Sequence, residues 1–103
     1  MVERDQIRRE LRDIRYYYSK KNMFDAAFKE TGGNNITELV QKYNFSIKEA
    51  SPQLYDIYIS LYMKGNTQEC AAEEMLYSSF YVYKLNNKLV KYFYKKFNEN
   101  APK

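Results

Sequence analysis

Three glycines and two prolines are all that punctuate these 103 residues. Breakers this scarce leave long uninterrupted segments, and their apolar residues recur with the spacing of an α-helix packed on one side. No stretch alternates apolar and polar as a half-buried strand would. Even the tyrosine-rich runs at 16–18 and 80–83 fall within helical spacing. Neither an internal repeat nor a long linker divides the chain, and its length suits one hydrophobic core. The expectation is an all-α bundle of four or five helices, a single domain over residues 1–103.

A first helix is predicted over residues 3–21. Ile7, Leu11, Ile14 and Tyr18 make its apolar stripe, while Arg8, Arg12 and Arg15 line a second face. Asp5 with Arg9, and Arg9 with Asp13, stand at i,i+4 and would support it modestly. The arginine row reads either as a solvated face or as a contact for phosphate or a partner. Asn22 is a cap or a kink, followed by a short apolar helical stretch through Met23, Phe24, Ala27 and Phe28. Thr31-Gly32-Gly33-Asn34 is the clearest break in the chain, because glycine supplies the positive φ that ends a helix. Asn35 with Glu38 resembles a capping box for a helix starting at Ile36, with Ile36, Leu39, Val40, Tyr43 and Ile47 buried. Ser51-Pro52 starts the next helix, residues 52–65, with serine as cap and proline at the first helical position. Leu54, Ile57, Tyr58 and Leu61 would face inward, and Gly65-Asn66 would end it.

The chemistry available is narrow. Histidine is absent, which removes the commonest general base and the commonest metal ligand. The one cysteine, Cys70, has no histidine to activate it and no partner for an internal disulfide; it reads as a small, partly buried filler in a reducing cytoplasm. No glycine-rich phosphate loop occurs, and no apolar run is long enough to span a membrane. An enzyme, a metal site and a cofactor are therefore not expected. The net charge of +4 is unevenly spread: residues 1–30 carry +2, residues 31–77 carry −3 and residues 78–103 carry +5. Concentrated positive charge suggests a polyanion partner for the last third.

That last third also holds the most informative spacing. Thr67 is a good N-cap, with Glu69 in the first turn to complement the helix dipole. Ala71 and Ala72 follow, then Met75, a Leu76-Tyr77 turn, and Ser78 as cap of another helix whose Val82, Leu85, Leu89 and Phe93 point one way. Two helices meeting steeply through a tight turn need small residues where they cross, which the alanines provide. Met75, Val82 and Leu85 would fill the wedge between them. The opposite face of the second helix, Ser79, Phe80, Tyr83, Lys84 and Asn87, is then free to meet a major groove. Gln68, Lys88 and Lys91 are placed to reach phosphates. Lys84, Lys88, Lys91 and Lys95 form one strip at spacings of 4, 3 and 4, which Lys96 leaves. Tyr55, Tyr58, Tyr62, Tyr92 and Tyr94 read as core aromatics with hydroxyls at the rim.

The segment TQECAAEEMLYSSFYVYKLNNKLVKYF, residues 67–93, resembles the helix-turn-helix that ends bacterial sigma factors, and aligns with it without a gap. LYDIYISLYMKGNTQE, residues 54–69, resembles the preceding sigma helix and its turn. The layout is similar to the small sigma-like regulators, including ArpU-type late-gene regulators, of phages of low-GC Gram-positive bacteria. The resemblance implies a helix-turn-helix over residues 67–97, buttressed by the helix at 52–65, with N-terminal helices in residues 3–50. It implies that the second helix of the pair is the recognition helix, and that RNA polymerase is a partner. This chain departs from the family at Leu76, where members usually carry glycine, so a left-handed turn there is costlier by roughly 1 kcal/mol. It departs again at Ser79-Phe80-Tyr81, where sigma factors tend to carry arginine and glutamate. An aromatic face suits thymine methyl groups, or equally a protein.

Taken together, the sequence points to a cytoplasmic double-stranded-DNA-binding transcriptional regulator. Two rivals stand beside it: an assembly module acting as a homo-oligomer or on a phage partner, and a DNA-packaging component like small terminase subunits.

Overall fold

The computed structural model describes residues 2–21, 23 and 35–99, and these residues form α-helices joined by short turns, with no strand among them. The expectations placed on Asn22, Phe24, Ala27, Phe28 and the Thr31–Asn34 break lie outside the described residues.

Helix α1 (Arg4–Ser19) buries Ile7, Leu11, Ile14 and Tyr17. Tyr17 replaces Tyr18 as the fourth fully buried position. Neighbours cover α1 on more than one flank, so burial widens beyond a single stripe and leaves Tyr18 half-buried at its edge. Asp5 pairs with Arg8 at 3.2 Å rather than with Arg9, an exposed i,i+3 contact of a few tenths of a kcal/mol. Helix α2 (Asn35–Ile47) buries Val40, Tyr43 and Ile47, with Ile36 and Leu39 half-buried. The Tyr43 hydroxyl donates to Glu10 Oε1 at 2.7 Å, tying α2 to α1.

Helix α3 (Pro52–Tyr58) starts as its sequence requires. Ser51 Oγ accepts from the Leu54 amide, and proline fills the first turn, where no amide donor is needed. The predicted 52–65 helix is not uniform, however. After Tyr58 the winding loosens through Ile59–Met63, and the Lys64 amide donates to the Ile59 carbonyl at 2.8 Å, five residues back. This wider winding brings Ser60 inward beside Leu61, which helical spacing had already placed there; the burial of Ser60 is what a fixed 3.6-residue period does not register. Gly65, at φ +74°, ends the element.

Helix α4 (Gln68–Met75) and helix α5 (Ser79–Glu99) complete the chain. The bundle is built on α5, whose Val82, Leu85, Leu89, Val90 and Phe93 are at most 1% exposed. Burying each contributes about 1.5–3 kcal/mol. Phe93 meets Tyr43 at 4.7 Å and Tyr58 at 5.8 Å between ring centroids, so one aromatic knot joins α2, α3 and α5. The hydroxyls of Tyr58, Tyr62 and Tyr92 donate to Asn44, Asn86 and the Ser46 carbonyl, as expected of rim-facing core aromatics; Tyr55 is instead exposed.

Helix α1 runs antiparallel along α5. Val2 and Asn98 exchange two hydrogen bonds of 2.9 Å, and the Arg4 guanidinium sits 5.1 Å from the Tyr94 ring. At its other end, Arg15 donates to the Gly65 carbonyl at 2.8 Å. Among the described residues no helix is long and apolar enough to cross a membrane.

Candidate nucleic-acid interface

The turn before α4 is held from three sides. Arg15 binds the Gly65 carbonyl, while the Asn66 amide side chain donates to Ser60 Oγ and to Glu74 Oε2. Of the arginine row, Arg15 is therefore a structural tie. Thr67 then caps α4, its hydroxyl accepting from the Cys70 amide at 3.1 Å. Ala71 and Ala72 are buried against α5, the small residues their crossing requires. Cys70 is exposed rather than partly buried, because the inward positions of this short helix belong to the two alanines.

Helix α4 stops at Leu76, which adopts the left-handed conformation at φ 59° and ψ 39°. The Tyr77 amide donates to the Ala72 carbonyl at 2.9 Å and the Leu76 amide to the Glu73 carbonyl at 3.4 Å, the paired bonds of a Schellman stop. A non-glycine residue in this region costs about 1–2 kcal/mol. Leu76 gains little in return through burial, since it is 92% exposed. Ser78 caps the next helix through the Tyr81 amide at 3.1 Å. On the α3 side, Gln53 donates to Tyr81 at 2.9 Å and to Tyr77 at 3.3 Å, fixing the start of α5 against the buttress. The result is a short helix, a tight turn and a long helix, braced by a third.

The predicted groove-facing residues lie on this frame as follows. Ser79, Phe80, Tyr83 and Lys84 are exposed at the beginning of α5. Phe80 is 65% exposed and stacks with Tyr83 at 6.5 Å, while Lys84 Nζ stands 4.9 Å over the Phe80 ring. These three form one cluster, apolar at the centre and cationic at the edge. Asn87 is half-buried and belongs to a neighbouring groove, lined by Tyr83, Val90, Lys91, Arg4 and Arg8. Lys88, Lys91 and Lys95 are exposed. Lys96 points elsewhere and pairs with Glu49; that bond holds its ammonium above the usual lysine range. Gln68, half-buried, opens α4, and no hydrogen bond joins it to the α5 cluster among the described residues.

Sequence reasoning missed what lies beside that cluster. Arg4 and Arg8 of α1 reach the flank of α5 at Tyr83, Asn87 and Lys91. A second groove continues along α1, lined by Arg8, Arg9 and Arg12 with Tyr62, Asn86, Glu3 and Asp5. The helical row of arginines was visible in the sequence, with Arg4 four residues before Arg8. Its neighbour in space was not, because α1 and α5 lie far apart in the chain. No group of three or more Cys, Asp or Glu able to hold a metal ion occurs among the described residues. No family model, curated protein or solved structure matches this chain.

Proposed function

We propose that this protein is a transcriptional regulator that binds double-stranded DNA by laying α5 in the major groove. The observation that carries the reading is the capped helix pair: Thr67 starts α4, the Leu76 turn ends it, and Ser78 starts an α5 whose outer face is solvent-facing. In this reading Ser79, Phe80, Tyr83 and Asn87 meet base edges, with Phe80 and Tyr83 suited to thymine methyl groups. Lys84, Lys88 and Lys91 neutralise phosphates, and Gln68 touches the backbone from the start of α4. The protein acts in the cytoplasm without a cofactor, and RNA polymerase is a partner through the sigma-like layout. The test is fluorescence anisotropy with random duplex DNA across a salt series. Binding that weakens steeply with salt supports the reading, and absence of binding at low salt refutes it.

One observation favours a second reading. Leu76, Phe80 and Tyr83 are 92%, 65% and 51% exposed, an apolar surface at the tip of the helix pair. Such a surface also suits an assembly module, whether a homo-oligomer or a DNA-packaging subunit. Multi-angle light scattering separates the two: a defined oligomer that loses its stoichiometry on Phe80→Glu favours assembly.

A further inference from the structure

The first half of α1 is packed along the flank of α5, and it brings its own cations. Arg4 and Arg8 share a groove with Lys91, Asn87 and Tyr83, and Arg8 is common to the adjoining groove that contains Arg9 and Arg12. Across both grooves five cations stand against two carboxylates, Glu3 and Asp5. Only Asp5 is engaged, at 3.2 Å from Arg8; Arg9 and Arg12 form no ion pair among the described residues. The excess positive charge is therefore held in one place by the antiparallel packing of two helices.

The geometry relates this charge to the proposed interface. A helix seated in a major groove about 12 Å wide has a phosphate strand on each flank. Packed helices lie with axes about 8–10 Å apart, so side chains of a helix packed on the flank of α5 stand where one of those strands runs. Lys88 follows Asn87 by one residue and stands about 100° further round α5, on the flank away from α1. The two flanks thus receive cations from two different helices. Arg4, Arg8 and Arg12 follow one another at four-residue steps, advancing about 6 Å each along α1.

Resting on the DNA reading above, we infer that α1 is a second phosphate-binding arm, in which Arg4, Arg8 and Arg12, with Lys91, grip the sugar–phosphate strand bordering α5. The occupant is the duplex backbone, so the arm adds affinity without reading sequence. Arg4 also stacks on Tyr94, which positions its guanidinium at the mouth of the groove.

The arm is tested by salt-dependent anisotropy on the full chain with two unrelated duplexes. Each phosphate contact adds about 0.9 to the slope of log K against log salt, so Arg4→Gln with Arg8→Gln should lower it by about 1.8. Between 50 and 200 mM salt the loss of affinity would then shrink by a factor of about 12, equally on both duplexes. Because Arg4 also packs on Tyr94, Arg12→Gln serves as a second variant, one with no ring or ion-pair contact to lose among the described residues; its slope should fall by about 0.9. Arg4→Lys with Arg8→Lys should keep the parent slope. If the parent binds DNA through Lys84 and Lys88 but the slopes of the Gln variants equal its own, the arm is wrong and the DNA reading stands. If the parent binds no duplex, both fall together.

Discussion

Replacing Leu76 with glycine should make the protein more stable, although it deletes a large apolar side chain. Leu76 is held at φ 59°, a conformation that costs about 1–2 kcal/mol for a residue with a Cβ. Glycine removes that strain but brings greater chain entropy to the unfolded state, a penalty of about 0.5–1 kcal/mol. The leucine side chain is 92% exposed, so its loss withdraws almost no buried surface. The balance is a gain of about 0.5–1 kcal/mol, or roughly 2–8 °C in Tm for a domain of this size. The assay is thermal unfolding by circular dichroism on the parent, Leu76→Gly and Leu76→Ala. Alanine keeps the Cβ and the left-handed strain, so its Tm should stay near that of the parent, and the glycine–alanine difference isolates the backbone effect. An unchanged or lower Tm for Leu76→Gly would refute the argument, showing that the turn is unstrained or that the leucine packs.

Lys84→Glu combined with Lys88→Glu should abolish binding to duplex DNA while leaving the helical circular dichroism intact, since both side chains are exposed; undiminished binding would remove α5 from the interface. Ala71→Leu should destabilise by about 1–3 kcal/mol in urea titration, because the side chain is fully buried where α4 crosses α5. Burial raises the Tyr43 phenol well above its ordinary range, with the Glu10 carboxylate adding to the effect, and burial raises Tyr58 as well. Raised folded-state values favour the neutral phenol, so this contribution is complete below about pH 10 and is lost as pH climbs above it. The unfolding free energy from urea titration should fall above pH 10 by up to about 1.4 kcal/mol per pH unit for each phenol, and Tyr43→Phe should remove its share; a flat profile would contradict the burial argument.

Local features of this fold were readable in the sequence because their physics is local. Ser51-Pro52, Thr67 and Ser78 each place a hydroxyl where free amides need an acceptor, and all three caps form. The inward faces of α3 and α5 follow from helical spacing, and Val82, Leu85, Leu89 and Phe93 are all buried. A turn at Leu76-Tyr77 was legible from the caps on either side, and its left-handed form only through the resemblance to helix pairs that carry glycine there. The loosened winding at Ile59–Met63 was not, because nothing in its composition distinguishes an i→i+5 bond from the usual one. Nor was the juxtaposition of Arg4 and Arg8 with Asn87, which depends on how α1 docks along α5. For the same reason Asn87, read as outward-facing, sits half-buried at that junction.

The reciprocal amide pair between Val2 and Asn98 links backbone and side chain across 96 positions of the chain. Helix ends ordinarily fray one turn at a time, each independently of the rest. Here the residue that leads into α1 and the closing turn of α5 hold each other, so the end of α5 does not unwind without releasing the start of α1. The orientation of Arg4 is consequently tied to a contact whose other half is the last turn of α5, and local unwinding at one end would be felt as lost cationic order at the other.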